Sequence, residues 1–191
     1  MKTIVFDFDK TLTYKDTMNQ FFFWRMRGIR AIYWPIFLFL VTIVKLKFLS
    51  IKRLKELCIR MLAPKKEDEM MALFKEFSEE IVMADTINIL NKRVEEDNRV
   101  IVLSASPVYY LKEIFSNVEI IGTTFEFNSN MTFKGIAQHP YGKDKYNALI
   151  ENGIDSIYEM YYDSKSDEVL FPLCKLAHKV KNGLIIKTTQ L

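Results

Sequence analysis

The sequence predicts an α/β fold: a doubly wound parallel sheet (a Rossmann-like core) with a helical cap inserted after its first strand. Three observations carry that reading. Short apolar runs end at polar or acidic residues at several places, as strands buried on both faces do. Helical patterns separate most of these runs, the alternation of a parallel α/β sheet. Between residues 17 and 85 the alternation stops and only helical patterns remain.

Taken in order, residues 3–7 read as a short buried strand ending in carboxylates. The helical block begins with aromatics near Phe21 and continues through the uncharged run Ala31–Val44. Helices follow from about Ser50 to Met61 and from about Lys65 to Met83, the latter with Met71, Phe74 and Phe77 on one face. Thr86–Asn98 carries Ile87, Leu90 and Val94 at helical spacing and leads into a second strand at residues 99–104. A helix over Val108–Phe115 precedes a weaker third strand at residues 119–123. Phe125–Gly135 alternates around Asn128-Ser129-Asn130, a hairpin pattern. A helix over Lys145–Asn152, closed by Gly153, leads to a fourth strand at residues 157–163 that again ends in an acid. The expected division is a core of residues 1–16 and 86–191 and a cap of residues 17–85.

Apolar residues make up 49% of the 191, enough to bury a core and exclude a disordered chain. Cys58 and Cys174 match no metal-binding spacing and fit a reducing compartment. His139 and His178 are isolated and receive no catalytic role. Met1-Lys2-Thr3 leads straight into Ile4-Val5-Phe6 and then acids, which is no secretory signal. The expected location is cytoplasmic, with peripheral contact at the inner membrane surface as an option. That option comes from charge. Residues 24–60 hold nine basic residues and one acid, Glu56, about +8 against a net +3 for the chain. Such a segment suits an anionic membrane. Its basic residues alternate with apolar ones instead of forming a polar groove, so nucleic acid is not expected. Three readings of Ala31–Val44 stay open: a buried cap helix, an interfacial segment among anionic headgroups, or a membrane-spanning helix.

The chemistry-bearing residues sit at the predicted strand ends, where ligands bind in doubly wound sheets. Asp7 and Asp9, two apart, are expected on one face of the strand end. Two unpaired carboxylates there invite a divalent cation, and Mg²⁺ takes hard oxygen ligands while keeping waters that a phosphate can displace. Asp163 ends another apolar run and lies beside them if the strands are parallel neighbours. Asp167 follows one turn later and can bind or orient the metal shell. Ser104-Ala105-Ser106-Pro107 forms a small-residue turn into a helix, with a hydroxyl and backbone N–H groups for an anion. Lys145 can add a point charge for a phosphate.

Together and in this order, these pieces resemble the haloacid dehalogenase superfamily of phosphatases. The matching segments are Asp7-Phe8-Asp9-Lys10-Thr11-Leu12-Thr13, Ser104 after Val100-Ile101-Val102-Leu103, Lys145 in Gly142-Lys143-Asp144-Lys145, and Asp163 to Asp167. The resemblance implies Asp7 as nucleophile and Asp9 as general acid and base. It implies Mg²⁺ on Asp7, Asp163 and the backbone carbonyl of Asp9. Lys10, Thr11, Ser104, Ala105 and Lys145 would hold the phosphate. Lys10 and Tyr162 each stand where many members have Gly. The helical block resembles the smaller cap of the phosphoserine phosphatase subgroup, whose Glu nine residues after the nucleophile is here Asp16. Asp16, the basic apolar cap and the Ser-x-Ser-Pro motif are closer to phosphatidylglycerophosphatase C-type proteins of that subgroup. The implied substrate is a lipid phosphate such as phosphatidylglycerophosphate. A small-metabolite phosphatase and a non-catalytic membrane-surface module are the alternatives.

Overall fold

The computed structural model describes residues 1–191. A six-stranded sheet has the order β3-β2-β1-β6-β7-β8. Its members are β1 (Thr3–Phe6), β2 (Arg99–Pro107), β3 (Glu119–Thr123), β6 (Ile157–Tyr162), β7 (Cys174–Lys181) and β8 (Leu184–Gln190). All neighbours are parallel except β7 and β8. The chain runs outward from β1 through β2 to β3, then restarts on the other side of β1 with β6. That reversal makes a crevice beyond the carboxyl ends of β1 and β6. Phe6 pairs with Val102 on one side and Tyr161 on the other, so Asp7, Ser104 and Asp163 emerge close together.

The pleat divides the core. Ile4, Phe6, Val100 and Val102 join a large cluster on one face of the sheet; Val5, Ile101 and Leu103 join a smaller one on the other. Helices α5 (Ile87–Glu95) and α6 (Val108–Ile114) contribute Leu90 and Leu111 to the first cluster, and α7 (Lys143–Glu151) contributes Ala148 and Leu149 to the second. The sheet is therefore covered on both faces, which is why its inner strands read as continuous apolar runs.

Between β1 and α5 lie four helices: α1 (Thr17–Arg25), α2 (Trp34–Lys45), α3 (Ile51–Leu62) and α4 (Glu67–Ser78). The side chain of Asp16 caps α1 by accepting from the Asn19 N–H, and Ser50 caps α3 by accepting from that of Arg53. Glu67, Asp68 and Glu69 occupy the first turn of α4, where the helix dipole favours acids. Phe74 of α4 joins this block to the sheet side. Its ring lies 5.0 Å from Phe21, 5.8 Å from Tyr110 and 5.8 Å from Phe125. The two connections to the core run side by side, Thr13 bridging Met83 while the Ala84 N–H donates to the Leu12 carbonyl.

The structure corrects three expectations. A buried helix over Ala31–Val44 is not found: a 3-10 segment (Gly28–Tyr33) precedes α2, and of both only Phe37 is buried. Pro35 sits in the first turn of α2, where its missing N–H costs nothing. The strand at residues 99–104 continues to Pro107, with a register shift beyond Leu103. Finally, β7 and β8 were not expected. Lysines interrupt the apolar residues of β7, and β8 is exposed along nearly its whole length, so neither reads as a buried strand, yet Asn182-Gly183 between them marks the turn. Both residues have positive φ (51° and 76°), as a two-residue hairpin demands. The expected hairpin at Phe125–Gly135 is present as β4 (Phe125–Phe127) and β5 (Phe133–Ile136).

Candidate active site

Strand β1 ends one residue before Asp7, whose N–H still donates to the Tyr161 carbonyl at 2.9 Å. The chain then folds on itself, the Phe8 carbonyl accepting from Thr11, Leu12 and Thr13. Lys10 sits in this turn at φ 61°, the left-handed region that glycine adopts most cheaply. Its N–H donates to Thr13 Oγ1 at 3.2 Å. Because the strand has ended, the alternation expected to put Asp7 and Asp9 on one face does not apply. Asp7 turns toward α7 and Asp9 toward α1 and β2, although both border the same cavity.

Asp7 belongs to a buried charge cluster. Lys145, in the first turn of α7, places Nζ 2.6 Å from Asp7 Oδ1 and 2.5 Å from Asp167 Oδ1. Carboxylate oxygens of Asp7, Asp163 and Asp167 lie within 4.8 Å of one another. Thr11 Oγ1 donates to Asp7 Oδ2 at 3.2 Å, and Ser164 Oγ donates to Asp167 Oδ2 at 3.2 Å. Three carboxylates and one ammonium leave an excess of two negative charges when all are ionised. Burial pushes Asp7 up to about 8 against the pull of Lys145. Burial also raises Asp163, with Asp167 adding to the effect. For Lys145 burial works downward, but Asp7 and Asp167 outweigh it and hold the ammonium above the usual lysine range. A compact, all-oxygen donor set short of two positive charges fits a hard divalent cation such as Mg²⁺. The Asp9 carboxylate is outside this group.

Asp9 is held by neutral donors. Its Oδ1 accepts from Thr17 N at 2.7 Å and Thr17 Oγ1 at 2.6 Å, and its Oδ2 from Ser106 Oγ at 2.6 Å. The Thr17 hydroxyl also lies 2.9 Å from the Tyr110 hydroxyl. Thr17, Ser106 and Tyr110 escaped the sequence reading. Ser106 was within reach of it as the second serine of Ser-x-Ser-Pro. Ser104 is fully buried and accepts the Ser106 N–H at 3.0 Å, so Ala105 forms the cavity surface at that point.

The cavity holds about 420 Å³. Asp7, Lys145, Asp163 and Asp167 lie at one side; Asp16, Lys55 and the apolar Phe22, Val41, Ile51 and Leu54 come from the helical block. Burial raises Asp16, and the nearby Asp9 raises it further. Lys55, another residue the sequence did not single out, donates from Nζ to the Ala105 carbonyl at 2.9 Å and so ties α3 to the end of β2. Burial lowers its ammonium from the usual range, with Asp9 and Asp16 opposing. Thr123 Oγ1 donates to the same carbonyl at 2.8 Å and lies 2.9 Å from His139 Nδ1.

Comparisons with known proteins agree with this architecture. No curated protein matches the sequence. Among solved structures, a protein of unknown function from Bordetella pertussis Tohama I superposes with a TM-score of 0.74 at 17% identity, over 89% of this chain and 86% of that one. A phosphoserine phosphohydrolase-like protein from Francisella tularensis gives 0.61 at 18% identity, over 90% and 82%. Phosphoserine phosphatase from T. onnurineus gives 0.58 at 16%, over 92% and 82%. Such likenesses establish the fold. The family itself is established by sequence, through a model that spans most of the chain. With residues 4–167 matching it, from within β1 through Asp167, the chain belongs to the haloacid dehalogenase-like hydrolases.

Proposed function

We propose that this hydrolase is a Mg²⁺-dependent phosphatase that works through an aspartyl-phosphate on Asp7. The observation that carries the reading is the Asp7, Asp163, Asp167 and Lys145 cluster beside a separately anchored Asp9. Asp7, Asp163 and the Asp9 backbone carbonyl would hold the metal, with Asp167 supporting it. When bound, Mg²⁺ supplies positive charge to balance the nucleophile and the phosphate.

Asp7 attacks phosphorus, forming a carboxylate O–P bond as the ester O–P bond breaks. The leaving oxygen takes a proton from Asp9, which must be in its acid form at that moment. Water then attacks the phosphorus and gives a proton back to Asp9. The Asp7 O–P bond breaks, inorganic phosphate departs and Asp9 is restored. Lys145, the Lys10 side chain and the backbone N–H of Ala105 hold phosphoryl oxygens, while the N–H groups of Lys10, Thr11 and Ser106 are spent within their own turns. Thr11 orients Asp7, and buried Ser104 shapes the 105–106 turn behind the surface.

For substrate, the reading favoured is a lipid phosphate of the phosphatidylglycerophosphate type. The cavity wall of Phe22, Val41, Ile51 and Leu54 supports it, since a small zwitterionic ester offers those side chains nothing to bury against. The alternative, a small-metabolite phosphatase, draws on the names of the phosphoserine phosphatases above and on Asp16 and Lys55 in the cavity. A screen of phosphate esters, with phosphatidylglycerophosphate in micelles beside phosphoserine, separates the two. Asp7→Asn is expected to lower Mg²⁺-dependent phosphate release by on the order of 10³-fold or more, as loss of a nucleophile does. Wild-type protein that releases no phosphate from any ester with any divalent metal would overturn the phosphatase reading.

A further inference from the structure

Helix α2 has no polar face. Of its twelve residues only Thr42 and Lys45 carry polar side chains, and the Thr42 hydroxyl is spent on the Leu38 carbonyl at 2.9 Å. A helix apolar all round belongs in a core or in lipid. Here it is in neither: the stretch Gly28–Lys45 has a mean hydropathy of 1.6 and is only 6% buried. Ile29 is 93% exposed, Ile32 74%, Leu38 57%, Phe39 64%, Leu46 60% and Phe48 83%. A contiguous patch of this kind marks an interaction surface. Its rim supplies the sign of the partner. Arg27 and Arg30 precede α2, and Lys45 and Lys47 end it; all four are exposed, and none has an acidic partner.

We propose that α2 and the turns at its two ends lie in the surface of an anionic lipid membrane. The apolar side chains enter the boundary of the acyl chains while the four basic residues meet lipid phosphates. The helix lies flat and does not cross. Its twelve residues extend about 18 Å, short of the roughly 30 Å hydrocarbon thickness. It is also moored to the protein through Phe37, whose ring packs 6.0 Å from Phe22 and 5.9 Å from Phe23. Adding the 3-10 segment to make a span would pull Phe37 out of the core. Phe22 and Val41, against or on this same helix, line the catalytic cavity. Docking through α2 therefore sets the apolar wall of the cavity beside the bilayer.

The test is co-sedimentation with vesicles of phosphatidylcholine, with and without phosphatidylglycerol. Neither lipid carries a phosphomonoester, so the result stands apart from the phosphatase reading. The protein is expected to pellet with the anionic vesicles at low salt and to be released as salt screens the charges. The triple variant L38S/F39S/F48S is expected to lose about tenfold or more of that partition. Its hydrolysis of a water-soluble aryl phosphate, where the wild type has any, and its melting temperature should be unchanged. No pelleting with either vesicle would overturn the proposal, as would pelleting that the triple variant retains. So would a wild-type dimer that the triple variant dissolves while neither protein binds vesicles, since the patch would then serve a second copy.

Discussion

Ser106 Oγ donates a 2.6 Å hydrogen bond to the carboxylate of Asp9, joining the turn after β1 to the end of β2 across 97 positions of sequence. Thr17 completes the arrangement with two more donors. The carboxylate proposed as general acid and base is thus aimed by neutral groups, while the cationic Lys145 bonds Asp7 and Asp167. Ser106→Ala and Thr17→Val each remove a donor without adding charge. Each is expected to lower kcat by about 10- to 100-fold with KM little changed, because a misdirected proton donor affects the step and not the binding. Steady-state kinetics on an aryl phosphate would check this; a change confined to KM would contradict it.

Gly122 controls the same contact from behind. A Cβ there would stand 2.8 Å from the Ser106 carbonyl oxygen and 3.0 Å from Val108 Cγ1. Neither a backbone oxygen nor a packed valine can yield cheaply. Gly122→Ala is expected to cost about 1–3 kcal/mol of stability, the usual range for overpacking. It should also reduce activity by moving Ser106. Urea denaturation together with kcat would show both effects; a fully active, fully stable variant would not fit.

If the cluster around Lys145 holds the proposed Mg²⁺, it links folding to metal. With all three carboxylates ionised, its excess of two negative charges opposes burial, and a bound divalent cation would relieve it. Mg²⁺ is expected to raise the melting temperature, by an amount worth about 2.7 kcal/mol at a hundredfold excess over Kd. Asp163→Asn should weaken that response and Phe39→Ser should leave it intact. Calorimetry with and without a chelator measures it.

His139 predicts a pH dependence. Thr123 Oγ1 gives its proton to the Ala105 carbonyl, so His139 Nδ1 is the donor to Thr123, and the buried Nε2 is left bare and unpartnered. Burial, with Lys55 and Lys52 adding repulsion, lowers this imidazole to about 3 from an ordinary 6.5. A base depressed in the folded state is protonated first in the unfolded chain. Its contribution is complete above 6.5 and is lost as pH falls through the window from 6.5 toward 3. The slope is at most about 1.4 kcal/mol per pH unit. Urea midpoints of the wild type and His139→Asn should converge as pH is lowered; a constant difference would argue against a buried neutral imidazole.

The legible parts of this molecule share a physical cause. Inner strands read clearly because burial on both faces leaves them continuously apolar. The acids at their ends read clearly because Asp7, Asp9, Asp163 and Asp167 occur in one order with Ser104 and Lys145, each at the end of an apolar run or the start of a helix. Strands β7 and β8 did not, since lysines interrupt the apolar residues of β7 and β8 is exposed along nearly its whole length. Asp9's partners were hidden for another reason. Thr17 and Ser106 are ordinary residues whose role depends on two turns meeting in space, and no spacing in the chain encodes that meeting. Lys55 was counted in the basic excess of residues 24–60, yet it points inward to the Ala105 carbonyl, a distinction that composition cannot draw. The uncharged run at Ala31–Val44 was ambiguous because hydropathy alone does not distinguish a core helix from an exposed one.

The connection at Thr13, bridged to the returning connection at Met83, stands between Asp9 and Thr17 in the path of the chain, with Asp9 on the sheet side and Thr17 at the start of the helices. Any swing of the helical block about those connections to admit a substrate stretches the bond between these two residues. An ajar enzyme would carry a proton donor out of aim, and only shutting would bring it to bear. Admission and reaction would then exclude one another in time, and in the mechanism proposed above the leaving oxygen would receive its proton only with the cavity shut.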